Sequence, residues 1–203
     1  MQIQETSLRF NGSLNKRKST KRAIIHHSAS PDVPASTIHG WHLGQKWAGI
    51  GYHFVIRANG AIERGRPEWA IGSHSGPAGN GDSIGIVLSV VVNSSKPTAA
   101  QMEDECWLLK EYLPGKYGLL QVIGHKDVMA TACPGRNFPW VELRERLEDD
   151  EMATEAKIKV NGQVLTGYIL KDNRSYAPVR ALAEALGAKV DWDDKTKTVI
   201  ITK

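Results

Sequence analysis

A short irregular stretch, GHKDVMATACPG at residues 124–135, combines three side chains that can do chemistry: His125, Thr131 and Cys133. A cysteine thiolate can attack a substrate or bind a metal, and an imidazole can support either role. Eight positions separate His125 from Cys133, so the chain must curl back if the two side chains are to meet. Cys133 could be a nucleophile, one half of a disulfide or a metal ligand.

The disulfide alternative depends on Cys106, the other of the two cysteines. It lies in TAAQMEDECWLLKEYLPG, where the apolar spacing predicts a helix that begins with a capping box of Thr98 and Gln101 and ends at Pro114. Cys106 is therefore predicted to be a small core residue. Cys133 is then left unpaired, in a loop beside a histidine.

A catalytic zinc site would need a third protein ligand, because such a site keeps its fourth position for water. His26 is the best candidate, since it ends a buried strand just before the polar turn of RAIIHHSAS. The adjacent His27 points to the opposite face, because side chains alternate along a strand. Asp127 could orient a ligand imidazole or cap its own loop. For each histidine taken alone, an ordinary core or surface imidazole remains the alternative.

The elements that must position these residues alternate between strands and helices, which predicts an α/β domain over residues 23–147. Ligands of such folds gather where strands end, and His26, Tyr52 and His125 all lie at or near predicted strand ends. The predicted elements are strands at residues 23–26, 52–56, 83–92 and 119–125, a hairpin turn at residues 59–60, and helices in STIHGWHLGQKW, in the Cys106 segment and in NFPWVELRERL.

Composition bounds the rest of the chain, which has 203 residues, 41% of them hydrophobic, and a net charge of +4. This mild basic excess favours anionic polymers in general and discriminates poorly among them. Residues 1–22 are polar and basic without an apolar run, so we expect a solvated arm and no secretory signal. No apolar stretch is long enough to predict a membrane span.

The last quarter of the chain has a different character. Residues 148–156 are acidic and predict a linker, and residues 157–203 predict a small α+β domain. Its signals are a hairpin turn at Asn161 and Gly162, an amphipathic helix in APVRALAEALGA closed by Gly187, and a second hairpin around residues 193–195. A unit of this size should be marginally stable alone.

Four segments, in this order, resemble the zinc-dependent N-acetylmuramoyl-L-alanine amidase family, which shares its fold with peptidoglycan recognition proteins and amidase-type phage lysozymes. They are IIHHSAS, GIGYHFVIRANGAIERGR, GSHSGPAGNGDSIGIVL and VIGHKDVMATACPG. The resemblance implies a mixed central sheet flanked by helices and one zinc ion on His26, His125 and Cys133. It also implies hydrolysis of the amide between N-acetylmuramic acid and the first L-alanine of the stem peptide.

One branch of this family carries a glutamate where this chain has Val87, and the other branch uses the tyrosine that corresponds to Tyr52. Members of the second branch have lysine or threonine two residues before the cysteine, and here the residue is Thr131. The resemblance therefore implies Tyr52 and Thr131 as the catalytic helpers, and Ser28 and His74 as residues that line the substrate groove. The alternatives are a half-buried hairpin aromatic for Tyr52 and a loop cap for Thr131.

The C-terminal segment YAPVRALAEALGA resembles the copper-amine-oxidase N-terminal-like domain. This part of the chain has no histidine or cysteine, so we expect no metal there. We expect a module that holds the protein on the cell wall, or one that stabilises the chain or mediates self-association.

The function predicted from these features is a peptidoglycan hydrolase, specifically a phage or prophage endolysin. It would be made in the cytoplasm without a signal peptide and would reach the wall through a holin or after lysis. Peptidoglycan is the expected partner, with no nucleic acid and no membrane insertion. The alternatives are a non-catalytic peptidoglycan-binding protein on the same fold and a cysteine peptidase using Cys133 and His125.

Overall fold

The structure is a computed structural model that describes residues 1–148, 154–171, 174–176 and 178–202. It divides into two compact units, Met1–Leu147 and Glu148–Lys203. Most of the linker predicted at residues 148–156 lies outside the described residues, and the chain is a β-strand again from Thr154. Across the described ranges, none of the helices has the length and apolar character needed to cross a membrane.

A six-stranded mixed sheet forms the centre of the first unit. Its strands are β1 (Ile3–Gln4), β2 (Arg22–His27), β3 (Phe54–Ile56), β4 (Ile62–Arg64), β5 (Ser83–Leu88) and β6 (Gln121–Gly124). They lie in the order β1-β4-β3-β5-β2-β6, with β3, β5, β2 and β6 parallel to one another and β4 antiparallel to β3. The predicted hairpin at Asn59 and Gly60 joins β3 to β4, and Gly60 takes the positive φ of +92° that this turn needs.

Helices cover both faces of this sheet, which confirms the predicted fold class. The helices are α1 (Ala35–Gly44), α2 (Gly76–Asn80), α3 (Ala99–Trp107), α4 (Leu113–Tyr117) and α5 (Trp140–Glu148). Ile38 of α1 packs on one face with Val55 and Val87. Met102 of α3 and Leu143 of α5 belong to the larger cluster on the other face. The alternation of side chains along each strand sends apolar residues to both layers.

The helix that contains Cys106 begins as predicted but ends later. The Thr98 hydroxyl and the Gln101 side chain form the expected capping box, and Cys106 packs against the core. Pro114 does not end the helix, because a π-helical turn at Leu108–Tyr112 leads into α4, which carries the proline as its second residue. The helix ends instead at Gly118, which has a φ of +73°.

The prediction that residues 1–22 form a solvated arm is wrong. Ile3–Gln4 pairs with β4, and Arg17 is only 7% exposed. The Arg17 guanidinium donates hydrogen bonds to the backbone oxygens of Glu68, Ala70 and Ser83, so its charge is buried with its donors satisfied. The basic segment is part of the first unit rather than an appendage.

The second unit consists of two small sheets and one helix. Its elements are β7 (Thr154–Val160), β8 (Gln163–Lys171), β9 (Arg174–Tyr176), α6 (Val179–Ala185), β10 (Lys189–Asp193) and β11 (Thr198–Thr202). The turn at Asn161 and Gly162 has positive φ at both residues, and Gly187 follows α6 with a φ of +80°. Both predicted hairpins and the predicted helix are confirmed.

Candidate metal centre

Two neighbouring parallel strands bring His26 and His125 together. His26 is the fifth residue of β2 and fully buried, and Ile25 beside it pairs with Gly124 at the end of β6. His125 directly follows Gly124, so both imidazoles lie at the carboxyl ends of adjacent strands. Their ring centroids are 4.6 Å apart.

The loop after β6 curls back and carries Cys133 to the same place. Its first turn is a 3₁₀ helix at His125–Asp127, and the Lys126 N–H donates to the Cys133 carbonyl at 2.9 Å, which closes the loop. The Asp127 carboxylate accepts a hydrogen bond from the Gly124 N–H at 2.8 Å. Asp127 therefore caps its own loop.

The three predicted ligands converge with a geometry that suits a metal ion. One ligand atom from each of His26, His125 and Cys133 lies within 4.8 Å of the others. His26 Nδ1 is 3.7 Å from Cys133 Sγ. A tetrahedral zinc ion separates a sulfur ligand from a nitrogen ligand by about 3.6 Å. His125 Nε2 is buried and has no hydrogen-bond partner among the described residues, which a metal would supply.

Burial sets the protonation of the three ligands. It lowers the pKa of His26 well below its usual value, with the nearby His125 adding to the effect, and it lowers the pKa of His125. It raises the pKa of the Cys133 thiol to about 11, although the His27 N–H that bonds the sulfur acts in the opposite direction. The imidazoles are therefore neutral, as metal ligands must be, and the thiol keeps its proton until a metal displaces it.

The same pKa argues against Cys133 as a free nucleophile. Catalytic thiols have a lowered pKa, commonly from a helix N-terminus or an adjacent cation. Cys133 lies in a loop with no helix beginning at it, since α5 starts at Trp140.

Tyr52 lies against the ligand cluster. Its ring centroid is 5.0 Å from that of His26 and 5.7 Å from that of His42. The His42 Nδ1 accepts a hydrogen bond from the Gly51 N–H at 3.0 Å and so fixes the backbone just before Tyr52. Burial raises the pKa of the Tyr52 hydroxyl above its usual value, so the group stays protonated and can donate a hydrogen bond.

Two predicted site hydroxyls hold the loops around the cluster. Thr131 is exposed, and its Oγ1 accepts a hydrogen bond from the Cys133 N–H at 3.3 Å. Ser28 Oγ accepts one from the Val90 N–H at 3.0 Å. Thr131 therefore does cap its loop, and its predicted catalytic part and the predicted substrate contact of Ser28 stay predictions.

His74 lies buried next to His26, and its predicted place in the lining of the substrate groove stays a prediction. Its side chain is 8% exposed and lies beneath His26, with His26 Nε2 3.0 Å from His74 Nδ1. Ser75 and Ser83 are bonded to the same ring. The sequence does not predict that these two serines contact His74, because small polar residues beside a strand usually indicate a turn.

The position where one family branch carries a glutamate is apolar here. Val87 is fully buried with Ile38, Ile50 and Val55, and it pairs in register with His26 on the next strand. This neighbour of the metal centre therefore offers no carboxylate.

Two family models match the chain. The model described as N-acetylmuramoyl-L-alanine amidase matches residues 16–136, and the model described as copper amine oxidase N-terminal domain matches residues 155–203. The first of these spans more than half of the chain and includes all three ligands.

Relatives and solved structures agree with the first match. An endolysin of Enterobacteria phage K11 is 34% identical over 144 residues, which cover 66% of this chain and 94% of that protein. Peptidoglycan recognition protein 1 of Bos taurus is 32% identical over 122 residues, covering 57% of this chain and 63% of that protein. The structure of N-acetylmuramoyl-L-alanine amidase LysC from Clostridium intestinale URNW has a TM-score of 0.68 and 35% identity, covering 72% of this chain and 97% of that one.

Proposed function

We propose that this chain, which belongs to the N-acetylmuramoyl-L-alanine amidase family and cleaves peptidoglycan between N-acetylmuramic acid and L-alanine, does so with one zinc ion held by His26, His125 and Cys133. The observation that carries the proposal is the convergence of the three ligand atoms within 4.8 Å. Two neutral imidazoles and one thiol form a donor set suited to zinc, and three protein ligands leave a fourth position open.

The residues around the ligands divide the work of amide hydrolysis. A zinc ion held by His26, His125 and Cys133 would supply a Lewis acid for the scissile carbonyl and would lower the pKa of a bound water. Burial keeps the Tyr52 hydroxyl protonated, so this group donates a hydrogen bond to the oxygen on which negative charge develops. Thr131 uses its oxygen to accept the Cys133 N–H, which leaves its hydroxyl hydrogen free to donate to substrate.

Thr131 contributes less than a charged residue would. A hydroxyl donates one neutral hydrogen bond, and hydrogen bonds from a charged donor are roughly twice as strong. With apolar Val87 beside His26, Tyr52 and Thr131 are the two polar helpers that we assign to the reaction.

We further propose that the protein is an endolysin that reaches the wall through a holin or after lysis, as suits its similarity to phage endolysins. Its second unit then holds it on the wall and raises the effective concentration of substrate. Trp192, Ile200 and Ile201 of the β10–β11 hairpin are each at least 43% exposed, which suits an interaction module. Self-association through this unit is the alternative use of the same surface.

The test combines metal analysis with mass spectrometry of digested peptidoglycan. We expect one zinc per chain, loss of activity with EDTA, recovery with zinc, and new L-alanine amino groups in the products. Cys133→Ala should lose the metal, whereas Cys106→Ala, the matched change in the other cysteine, should keep it.

Three outcomes would contradict the proposal. Turnover by metal-free protein would exclude zinc chemistry. Binding of peptidoglycan without new amino groups would indicate a recognition protein. Loss of activity on thiol alkylation with full retention of zinc would favour the cysteine peptidase.

A further inference from the structure

A buried row of polar side chains lies beneath His26, on the side away from Cys133. His26 Nε2 is 3.0 Å from His74 Nδ1, and His74 Nε2 is 3.4 Å from Ser83 Oγ. Ser83 Oγ is in turn 2.5 Å from the backbone oxygen of Gly79. The row therefore connects a metal ligand on β2 to a carbonyl at the end of α2.

The last member of the row sets the direction of every hydrogen bond in it. A carbonyl oxygen can only accept, so the Ser83 hydroxyl donates to Gly79. The Ser83 oxygen then accepts from His74 Nε2–H, which leaves His74 Nδ1 as a bare acceptor. His74 Nδ1 accepts from His26 Nε2–H, and a neutral His26 must then present its lone pair on Nδ1.

Ser75 is consistent with the same direction. Its Oγ lies 2.6 Å from His74 Nδ1 and 3.3 Å from His26 Nε2. Its oxygen can accept from the protonated nitrogen of His26, and its hydroxyl shares the single lone pair of His74 Nδ1 with the His26 N–H. The reverse tautomer of His26 would give Nε2 a lone pair that faces the lone pair of His74.

The packing around His74 leaves its ring little freedom. An added Cβ at Gly85 would lie 2.5 Å from the His74 ring, and one at Gly72 would lie 2.3 Å from it. Two glycines therefore make the space in which the imidazole sits, and any other residue at either position would displace it.

We propose that His74 is a positioning residue of the metal centre, which, with Ser83 and the Gly79 carbonyl, holds His26 with its proton on Nε2 and its lone pair on Nδ1. His26 Nδ1 is the nitrogen that lies 3.7 Å from Cys133 Sγ. The opposite tautomer would point N–H at the metal position and could not ligate. The proposal rests on the proposed zinc site for its consequence, but the tautomer of His26 is a property of the chain itself.

The first measurement is nitrogen-15 NMR of the histidine rings in zinc-free protein. We expect His26 to be protonated on Nε2 before any metal is added. A proton on Nδ1 overturns this proposal. If zinc-free wild type with the proton on Nδ1 still takes up one zinc per chain, the proposed function remains supported. If wild type binds no zinc, the proposed function is overturned, whereas the result on the tautomer is unaffected.

The second measurement compares zinc affinity among variants by competition with a chelator. His74→Phe keeps a ring but removes both nitrogens, and we expect about 10- to 100-fold weaker binding, the usual cost of losing such a partner. His74→Gln can accept from His26 and donate to Ser83, so we expect it to recover most of the loss. Cobalt spectra of the loaded variants should change for His74→Phe and return towards wild type for His74→Gln.

Two further variants keep the test decisive. Ser83→Ala removes only the hydroxyl that sets the direction, so it should weaken zinc binding even if His74→Phe fails to fold. His39→Gln is the matched control, because His39 is 6% exposed and bonded to the Arg9 carbonyl. Equal zinc affinity in wild type, His74→Phe and Ser83→Ala would overturn the proposal.

Discussion

Zinc uptake should release one proton that comes from Cys133. In the metal-free protein, burial raises the pKa of this thiol to about 11, whereas it lowers the pKa values of His26 and His125. At pH 7.5 the imidazoles are already neutral and the thiol is protonated. The metal must therefore displace a proton from sulfur and from neither ring.

The size of the effect follows from the thiol pKa. With a pKa of about 11, roughly one Cys133 in 3,000 is a thiolate at pH 7.5. Since only the thiolate binds, the apparent zinc affinity should rise about tenfold for each unit that the pH rises, until the pH approaches the thiol pKa. Acidification has the opposite sign: protons compete for the sulfur, and affinity falls.

The assay is isothermal titration calorimetry of zinc into metal-free protein, at one pH, in buffers with different heats of ionisation. Cys133→Asp is the matched variant, because a carboxylate is ionised at pH 7.5 and releases no proton. Proton release from zinc-coordinated water enters both titrations and is removed by taking the difference. We expect wild type to release about one proton more than the variant. Equal release by the two proteins would refute the reasoning, since it would mean that Cys133 is a thiolate before the metal arrives.

Three other substitutions separate metal binding, catalysis and stability. Tyr52→Phe should keep zinc and lower kcat by about 100- to 1,000-fold, the usual effect of removing a donor to a developing oxyanion; a small change would exclude this role. Thr131→Ala should keep zinc and slow turnover less than Tyr52→Phe, and unchanged turnover would remove Thr131 from the mechanism. Burial raises the pKa of Glu105 to about 8, and neither carboxylate oxygen has a hydrogen-bond partner among the described residues. The folded state therefore keeps this proton to higher pH than the unfolded chain does. The contribution of Glu105 to the free energy of unfolding is complete below pH 4.5 and falls by about 1.4 kcal/mol per pH unit up to about pH 8. Glu105→Gln should abolish that slope in urea unfolding, whereas the exposed Glu103→Gln should not; parallel slopes for wild type and Glu105→Gln would contradict the assignment.

The positions of the two candidate histidine ligands were accessible from sequence because they follow from strand geometry. His26 and His125 each lie at the end of a short apolar strand, and parallel neighbours put such ends at one edge of the sheet. Side-chain alternation also separates His26 from His27, whose Nδ1 accepts the Val92 N–H instead. These are local patterns, so they can be recognised in the sequence without knowledge of the tertiary fold.

The features that sequence patterns did not predict depend on contacts between distant segments. A basic run predicts solvated side chains, yet Arg17 is buried because carbonyls 51 to 66 positions away accept its hydrogen bonds. His74 is 48 positions from His26, and its place beneath that ring depends on how α2 packs against β5. Neither result follows from residue type or spacing, because hydrogen-bond satisfaction is settled only when the chain has folded.

In the candidate metal centre, His26 and Cys133 are held by different parts of the fold, and this difference separates the roles of the residues around them. His26 is held in a central strand and by the row that ends at the Gly79 carbonyl. Cys133 is held by its loop, through the Lys126 N–H on its carbonyl and the Thr131 hydroxyl on its own N–H. A substitution in the row beneath His26 should change metal binding without changing the residues that face the substrate. A change at Thr131 reaches a ligand's backbone and the substrate side together, so measured zinc content must accompany turnover before Thr131 is assigned to catalysis.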